Sequence, residues 1–174
     1  MRKRFLLKCL SFVFVVSLFI GCGYHFKGKE NNLPKDIQRI SIPIFKNDTT
    51  ETNIENLFTN ALISEFVKGK ELRLVDVGQA DAIIYGTLKE FHDDTLTYSE
   101  GGKVSQYRVR IVAEVSLVRA KTGKVVWRAK NLQEFEDYDA STNTIEREAR
   151  KKEAISKLAK FMAEVIHDRM LENF

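Results

Sequence analysis

The chain has 174 residues, 44% of them hydrophobic and 30% charged, with nine glycines and two prolines. That is enough apolar content for one packed domain, and it excludes a disordered or low-complexity chain. The formal charge of +4 belongs to one segment: Arg2, Lys3, Arg4 and Lys8 precede Cys22, no acidic residue does, and the rest of the chain carries 24 basic and 24 acidic residues. A neutral remainder gives no compositional case for binding nucleic acid.

Residues 1–21 have a basic start and an apolar run from Cys9 to Ile20. A run of about 12 residues is too short for a spanning helix, which takes roughly 20, and fits the core of a signal peptide. It ends in Leu18-Phe19-Ile20-Gly21-Cys22, which resembles the lipobox of bacterial lipoproteins, with Phe19 where a leucine is usual. The resemblance implies cleavage after Gly21 and a Cys22 carrying S-diacylglycerol and N-palmitoyl groups, a stable membrane anchor. Cys9 then leaves with the signal and Cys22 is capped, so the mature chain has no thiol for a disulfide and relies on its core. Gly23, not aspartate, follows Cys22; by the sorting rule of enteric bacteria this implies the outer membrane.

Residues 22–36 are polar, with Gly23, Gly28 and Pro34, and are expected to be a tether leading into a domain over 37–174. Residues 37–44 alternate, which predicts a strand with Ile40, Ile42 and Ile44 on one face and Pro43 near an edge or its end. Thr52 and Glu55 have capping-box spacing. Ile54, Leu57, Phe58, Ala61, Leu62 and Phe66 form a helical core stripe, with Gly69 placed to end it. Leu72 to Val77 is a small strand. Asp81 to Phe91 is a strand continuing toward Tyr98, and Glu100 to Lys103 make a turn.

Beyond that turn the alternation is strict. Tyr107, Val109, Ile111, Ala113, Val115 and Leu117 interleave with Gln106, Arg108, Arg110, Glu114 and Ser116, the pattern of an antiparallel strand wet on one face. Lys121 to Lys124 make a second turn. Val125 to Tyr138 is the next strand, with Trp127 and Ala129 inward and Phe135 expected inward after a bulge. The last helix runs from about Asn143 to Leu171, with Ile155, Leu158, Ala159, Met162, Val165, Ile166 and Met170 as its stripe. Its charged first turns are expected to project into solvent.

The order predicts a single α+β domain: a mostly antiparallel or mixed sheet of about four strands with two α-helices packed on one face. A strand from Val104 to Val118 spans roughly 50 Å, whereas a first helix of about 16 residues covers roughly 24 Å. Part of the sheet should therefore protrude or meet a partner. Nothing in the sequence marks a catalytic set, a phosphate loop or a dinucleotide fingerprint. His92-Asp93-Asp94 reads as a solvated loop: as metal ligands the three would alternate in direction on a strand, and no second ligand cluster accompanies them. No catalytic residue, metal or cofactor is assigned.

Several segments in order resemble the LPS-assembly lipoprotein family, LptE. They are Cys22-Gly23-Tyr24-His25-Phe26-Lys27-Gly28, Leu33-Pro34, Ile42 to Asn47, Ala80 to Gly86, Tyr107-Arg108-Val109, Gly123 to Trp127 and the closing helix. The resemblance implies a non-enzymatic domain seated in the lumen of the outer-membrane β-barrel LptD. There it acts as plug and assembly chaperone and handles lipopolysaccharide bound for the outer leaflet. The segment from Ile40 to Asp76 also resembles CsgG-type secretion lipoproteins and activators of peptidoglycan synthases, which would make the chain a protein-binding module. For lipopolysaccharide, with its phosphates and acyl chains, two basic clusters qualify. One is Lys103, Arg108 and Arg110 by the first turn; the other is Arg119, Lys121, Lys124, Arg128 and Lys130 by the second. The family's lipid-contacting region matches the turn from Glu100 to Lys103, so the first cluster is favoured.

Overall fold

A computed structural model describes residues 33–172. The expected signal segment, Cys22 and the tether up to residue 32 lie outside the described residues. The elements in order are β1 (Arg39–Ser41), β2 (Lys46–Asn47), α1 (Ile54–Gly69), β3 (Arg73–Leu74), a 3₁₀ turn (Val77–Gln79), β4 (Ala82–Tyr98), β5 (Val104–Arg119), β6 (Val125–Asp139) and α2 (Thr144–Glu172). One six-stranded sheet runs β3-β1-β4-β5-β6, and β2 also pairs with β4. The pairs among β1 to β4 are parallel, whereas β4–β5 and β5–β6 are antiparallel. The fold is thus the expected α+β domain on a mixed sheet, with six strands rather than about four. The surplus consists of two- and three-residue pieces.

Pro43 explains one departure. It has no N–H to give a ladder, so β1 stops at Ser41 and pairing with β4 resumes three residues beyond the proline, at Lys46. The reset turns Ile44 out to solvent, against expectation, and buries Phe45 instead.

Helix α1 buries Ile54, Phe58, Leu62 and Phe66, while Leu57 of the expected stripe is 42% exposed. The expected capping box does not form. Asn53 is the N-cap, in a left-handed conformation without a side-chain cap bond. Glu55 instead accepts a hydrogen bond from Asn47 Nδ2 (2.9 Å), tying the helix start to β2. The helix ends through Lys70, whose N–H reaches Phe66 O with φ near 63°. Gly69 serves close approach: a Cβ there would sit 2.7 Å from His167 Nε2 on α2.

The three long strands form a blade. Ile84 and Leu88 on β4, and Val109, Ile111, Ala113, Val115 and Leu117 on β5, are fully buried in one core with Leu158, Met162 and Ile166 of α2. On β6, Trp127 faces inward as expected, but Lys130 and Asn131 together oppose Glu114. This bulge reverses the parity of the strand. Leu132 and Tyr138 then point inward, and Phe135 points out at 49% exposure, opposite to expectation.

Helix α2 is capped by Asn143, whose Oδ1 accepts the N–H groups of Ile145 (2.9 Å) and Glu146 (3.4 Å). Its expected stripe is buried apart from the half-buried Val165. Most positions of its charged first turns are exposed, as expected, but one side docks on the sheet and on the segment before α1. Arg147 lies over the Tyr107 ring at 4.3 Å and donates to Asp93 (3.2 Å). Lys151 pairs with Glu51 (2.8 Å). What protrudes is the tip of the β4–β5 hairpin, where Leu96 and Tyr98 are exposed. No helix among the described residues is long and apolar enough to cross a membrane.

Candidate functional site

Both helices pack on one face of the blade, so the outward side chains of β4, β5 and β6 form an open face. Near the first hairpin its register runs Asp94–Arg108–Asp137 and His92–Arg110–Phe135 across the three strands. Arg108 holds Asp137 through two bonds, Nε to Oδ1 at 2.6 Å and Nη2 to Oδ2 at 2.9 Å. Its guanidinium also lies 3.9 Å from the Phe135 ring centroid. The arginine holds the Asp137 carboxyl below its usual range, and the carboxylate raises Arg108 in turn. Arg110 sits one pair further on, half-buried, with no ion pair among the described residues. Lys103 is exposed at the turn, where its carbonyl accepts the Ser99 N–H (2.7 Å).

The structure thus puts Arg108 and Arg110 side by side on the outer face, as expected, but gives them different availability. Arg108 is already neutralised, whereas Arg110 is bordered by an aromatic ring and an imidazole. Lys103 stands apart, five residues along β5 from Arg108, roughly 17 Å at strand spacing. The second cluster lies at the opposite end of the sheet. There Arg119 is paired with Asp36 and Arg128 with Glu114 (3.5 Å). Lys121, Lys124 and Lys130 are exposed.

A third group escaped sequence reading. Asp93, expected in a solvated loop with His92 and Asp94, lies on β4 under the start of α2. It accepts hydrogen bonds from Tyr138 Oη (2.8 Å) and Arg147 Nη2 (3.2 Å), and Lys151 Nζ is 4.0 Å away. Tyr107 stacks on Tyr138 with centroids 5.3 Å apart. Burial first, then the nearby Asp93 carboxylate, pushes the Tyr138 hydroxyl well above its ordinary range, so it stays a donor. This knot is structural. Among the described residues no group of His, Cys, Asp and Glu is arranged to hold a metal.

A model of the LptE family, described as lipopolysaccharide-assembly, matches residues 37–170. The chain belongs to the LptE family. Among solved structures it is similar to uncharacterized lipoprotein B from Nitrosomonas europaea, with 16% identity, a TM-score of 0.56, and coverage of 86% of this chain and 91% of that one. It is similar to rare lipoprotein B from Shewanella oneidensis, with 14% identity, a TM-score of 0.50, and coverage of 76% and 93%. It is also similar to a lipoprotein from Caulobacter crescentus, with 14% identity, a TM-score of 0.53, and coverage of 73% and 87%. No curated protein matches the sequence. At such identities the structural likeness establishes the shared fold; membership of LptE rests on the match over 37–170.

Proposed function

We propose that this LptE-family chain is an outer-membrane lipoprotein that plugs the lumen of the LPS-translocating barrel LptD, assists its assembly, and takes part in delivering lipopolysaccharide to the outer leaflet. The observation that carries the reading is the family match across the whole folded domain. In this reading residues 1–21 are removed, Cys22 is acylated, residues 22–36 are the tether and 37–174 the working domain. Its work is binding, not catalysis, and needs no cofactor. The open outer face with Lys103, Arg108 and Arg110 is the candidate lipopolysaccharide surface, pairing cations with the exposed rings of Phe135 and Tyr98.

The test is a pull-down from detergent-solubilised outer membranes followed by mass spectrometry. A one-to-one complex with a β-barrel protein is expected. Depletion of the chain should lower surface lipopolysaccharide. Absence of any barrel, with cell-wall synthesis falling instead, would replace this reading by that of a peptidoglycan-synthase activator. Cys22→Ser should abolish acyl labelling and block processing after Gly21. A mutant that is cleaved and retained at the membrane as before removes the anchor.

A further inference from the structure

The domain has two unlike ends, and the chain enters at one of them. Leu33 and Ile37 are buried in the core, and Ile37 N–H closes a turn onto Pro34 O (2.8 Å). Asp36 is ion-paired to Arg119 at the end of β5. The Asp81 N–H donates to Arg39 O (2.8 Å), and the Ala120 N–H to Asp81 O (3.0 Å). The Arg73 N–H donates to Gln38 O (2.9 Å). These bonds gather the entry segment, the starts of β1, β3 and β4, and the β5–β6 turn at one end.

That end is positively charged. Of the carboxylates there, Asp36 is paired with Arg119 and Asp81 with Arg39, Asp168 lies 3.2 Å from His167 Nδ1, and Asp76 in the β3–β4 connection is exposed. Glu71 is turned inward, 3.4 Å from His167 Nε2. Lys35, Arg73, Lys121 and Lys124 are exposed and make no ion pair among the described residues. Lys121 and Lys124 flank Thr122-Gly123, and the φ of 67° at Gly123 makes the tight turn that presents both. At the far end the β4–β5 turn carries only Lys103, with Glu100 beside it.

We propose that this entry end docks on the anionic phospholipid headgroups of the bilayer that holds Cys22. The proposal rests on Cys22 being lipidated. Eleven residues, 22–32, precede Leu33; even fully extended they reach at most ~40 Å. The entry end is therefore confined near the headgroups, while the far hairpin stands roughly 50 Å beyond it at the length of β5. Confinement raises the local concentration of headgroups, and each unpaired cation favours the docked state by roughly a factor of five. The contact is electrostatic and unburied, so it weakens with salt.

The experiment uses the full lipidated chain in vesicles of phosphatidylcholine, with or without phosphatidylglycerol. Thr122→Cys places a single fluorophore at the entry-end turn, because Cys9 leaves with the signal and Cys22 is acylated. Gly101→Cys labels the far turn, where an added Cβ meets nothing within 4 Å. A quencher on the lipid headgroups reads proximity. With phosphatidylglycerol the entry-end label should be quenched and the far label should not. Lys121→Glu with Lys124→Glu should cut the docked-to-free ratio by roughly tenfold or more, and added salt should do the same. Equal quenching with and without phosphatidylglycerol, or quenching unmoved by the charge reversal, overturns the docking. Flotation with pure phosphatidylcholine vesicles tests the anchor separately: a chain that floats without charge-dependent quenching refutes docking alone, and one that fails to float refutes the lipidation beneath it.

Discussion

The ring of Phe45 lies across Gly86 on β4, where a Cβ would meet three of its carbons. The strand conformation there is ordinary; the glycine makes room for a buried ring brought in after Pro43. Gly86→Ala should therefore cost about 1–3 kcal/mol through overpacking, read as a lower urea midpoint at unchanged slope. Gly101→Ala, which meets nothing, should leave the midpoint in place. A second residue sets a pH dependence. The Arg39 guanidinium, helped by the N–H groups of Arg39 and Gln38, holds the Asp81 carboxyl down at about 2, against an ordinary value near 3.8. Because the folded value is depressed, the stabilisation is complete above about 3.8 and is lost as pH falls through about 2. The urea midpoint should decline across that window, and Asp81→Asn should flatten the decline. An identical decline in the variant would show that the pair contributes nothing.

Among the elements, the start of α2 depends most on a single distant group. Its core stripe begins at Ala154; the turns before it rest on the knot around Asp93. Asp93→Ala should remove hydrogen bonds to a charged group worth about 1.5–3 kcal/mol. Amide exchange over residues 144–152 should speed up by roughly tenfold or more, while protection from Ile155 onward persists. Unchanged exchange in that segment would mean that its other contacts, Arg147 on Tyr107 and Lys151 with Glu51, hold it. No periodicity could reveal this knot, since Arg147 and Asp93 lie 54 positions apart. What was legible follows the same logic. β5 shows its alternation because one face is buried and the other wet along its whole length, and α2 shows its stripe over several turns. β2 and β3 are two residues each, too short to carry a pattern, and exist because β4 and β1 offer open edges. Phe135 was misplaced although a bulge was expected, because the position of the extra residue is set by the partner strand. That Arg108 and Arg110 share the outer face was legible in the alternation of β5. The neutralisation of Arg108 was not, because Asp137 comes from another strand.

At the scale of the whole molecule, the blade carries basic residues in two regions about a strand length apart, those of the outer face interleaved with Asp94 and Asp137, and they should recognise different surfaces. Lipopolysaccharide carries separated phosphates on an apolar body, so its site should offer spaced cations beside exposed rings. The far part of the outer face has that make-up: Arg110 next to Phe135, with Lys103 roughly 17 Å along the strand from Arg108. An incoming phosphate must compete with Asp137 for Arg108, but meets no carboxylate paired with Arg110 among the described residues. Arg110→Glu alone should therefore weaken binding of purified lipopolysaccharide more than Arg108→Glu alone. Reversal of Lys103, Arg108 and Arg110 together should weaken it most, and added salt should reduce the difference from wild type. The fold should survive, because the Arg108–Asp137 pair is half-exposed and such pairs contribute about 1 kcal/mol or less; circular dichroism and thermal melting check this. Reversal of Lys121 and Lys124 should leave lipopolysaccharide binding nearly intact. If both sets of reversals cost the same, the attraction is general charge and not a site; if the first set costs nothing, the outer face near the hairpin is not where lipopolysaccharide binds.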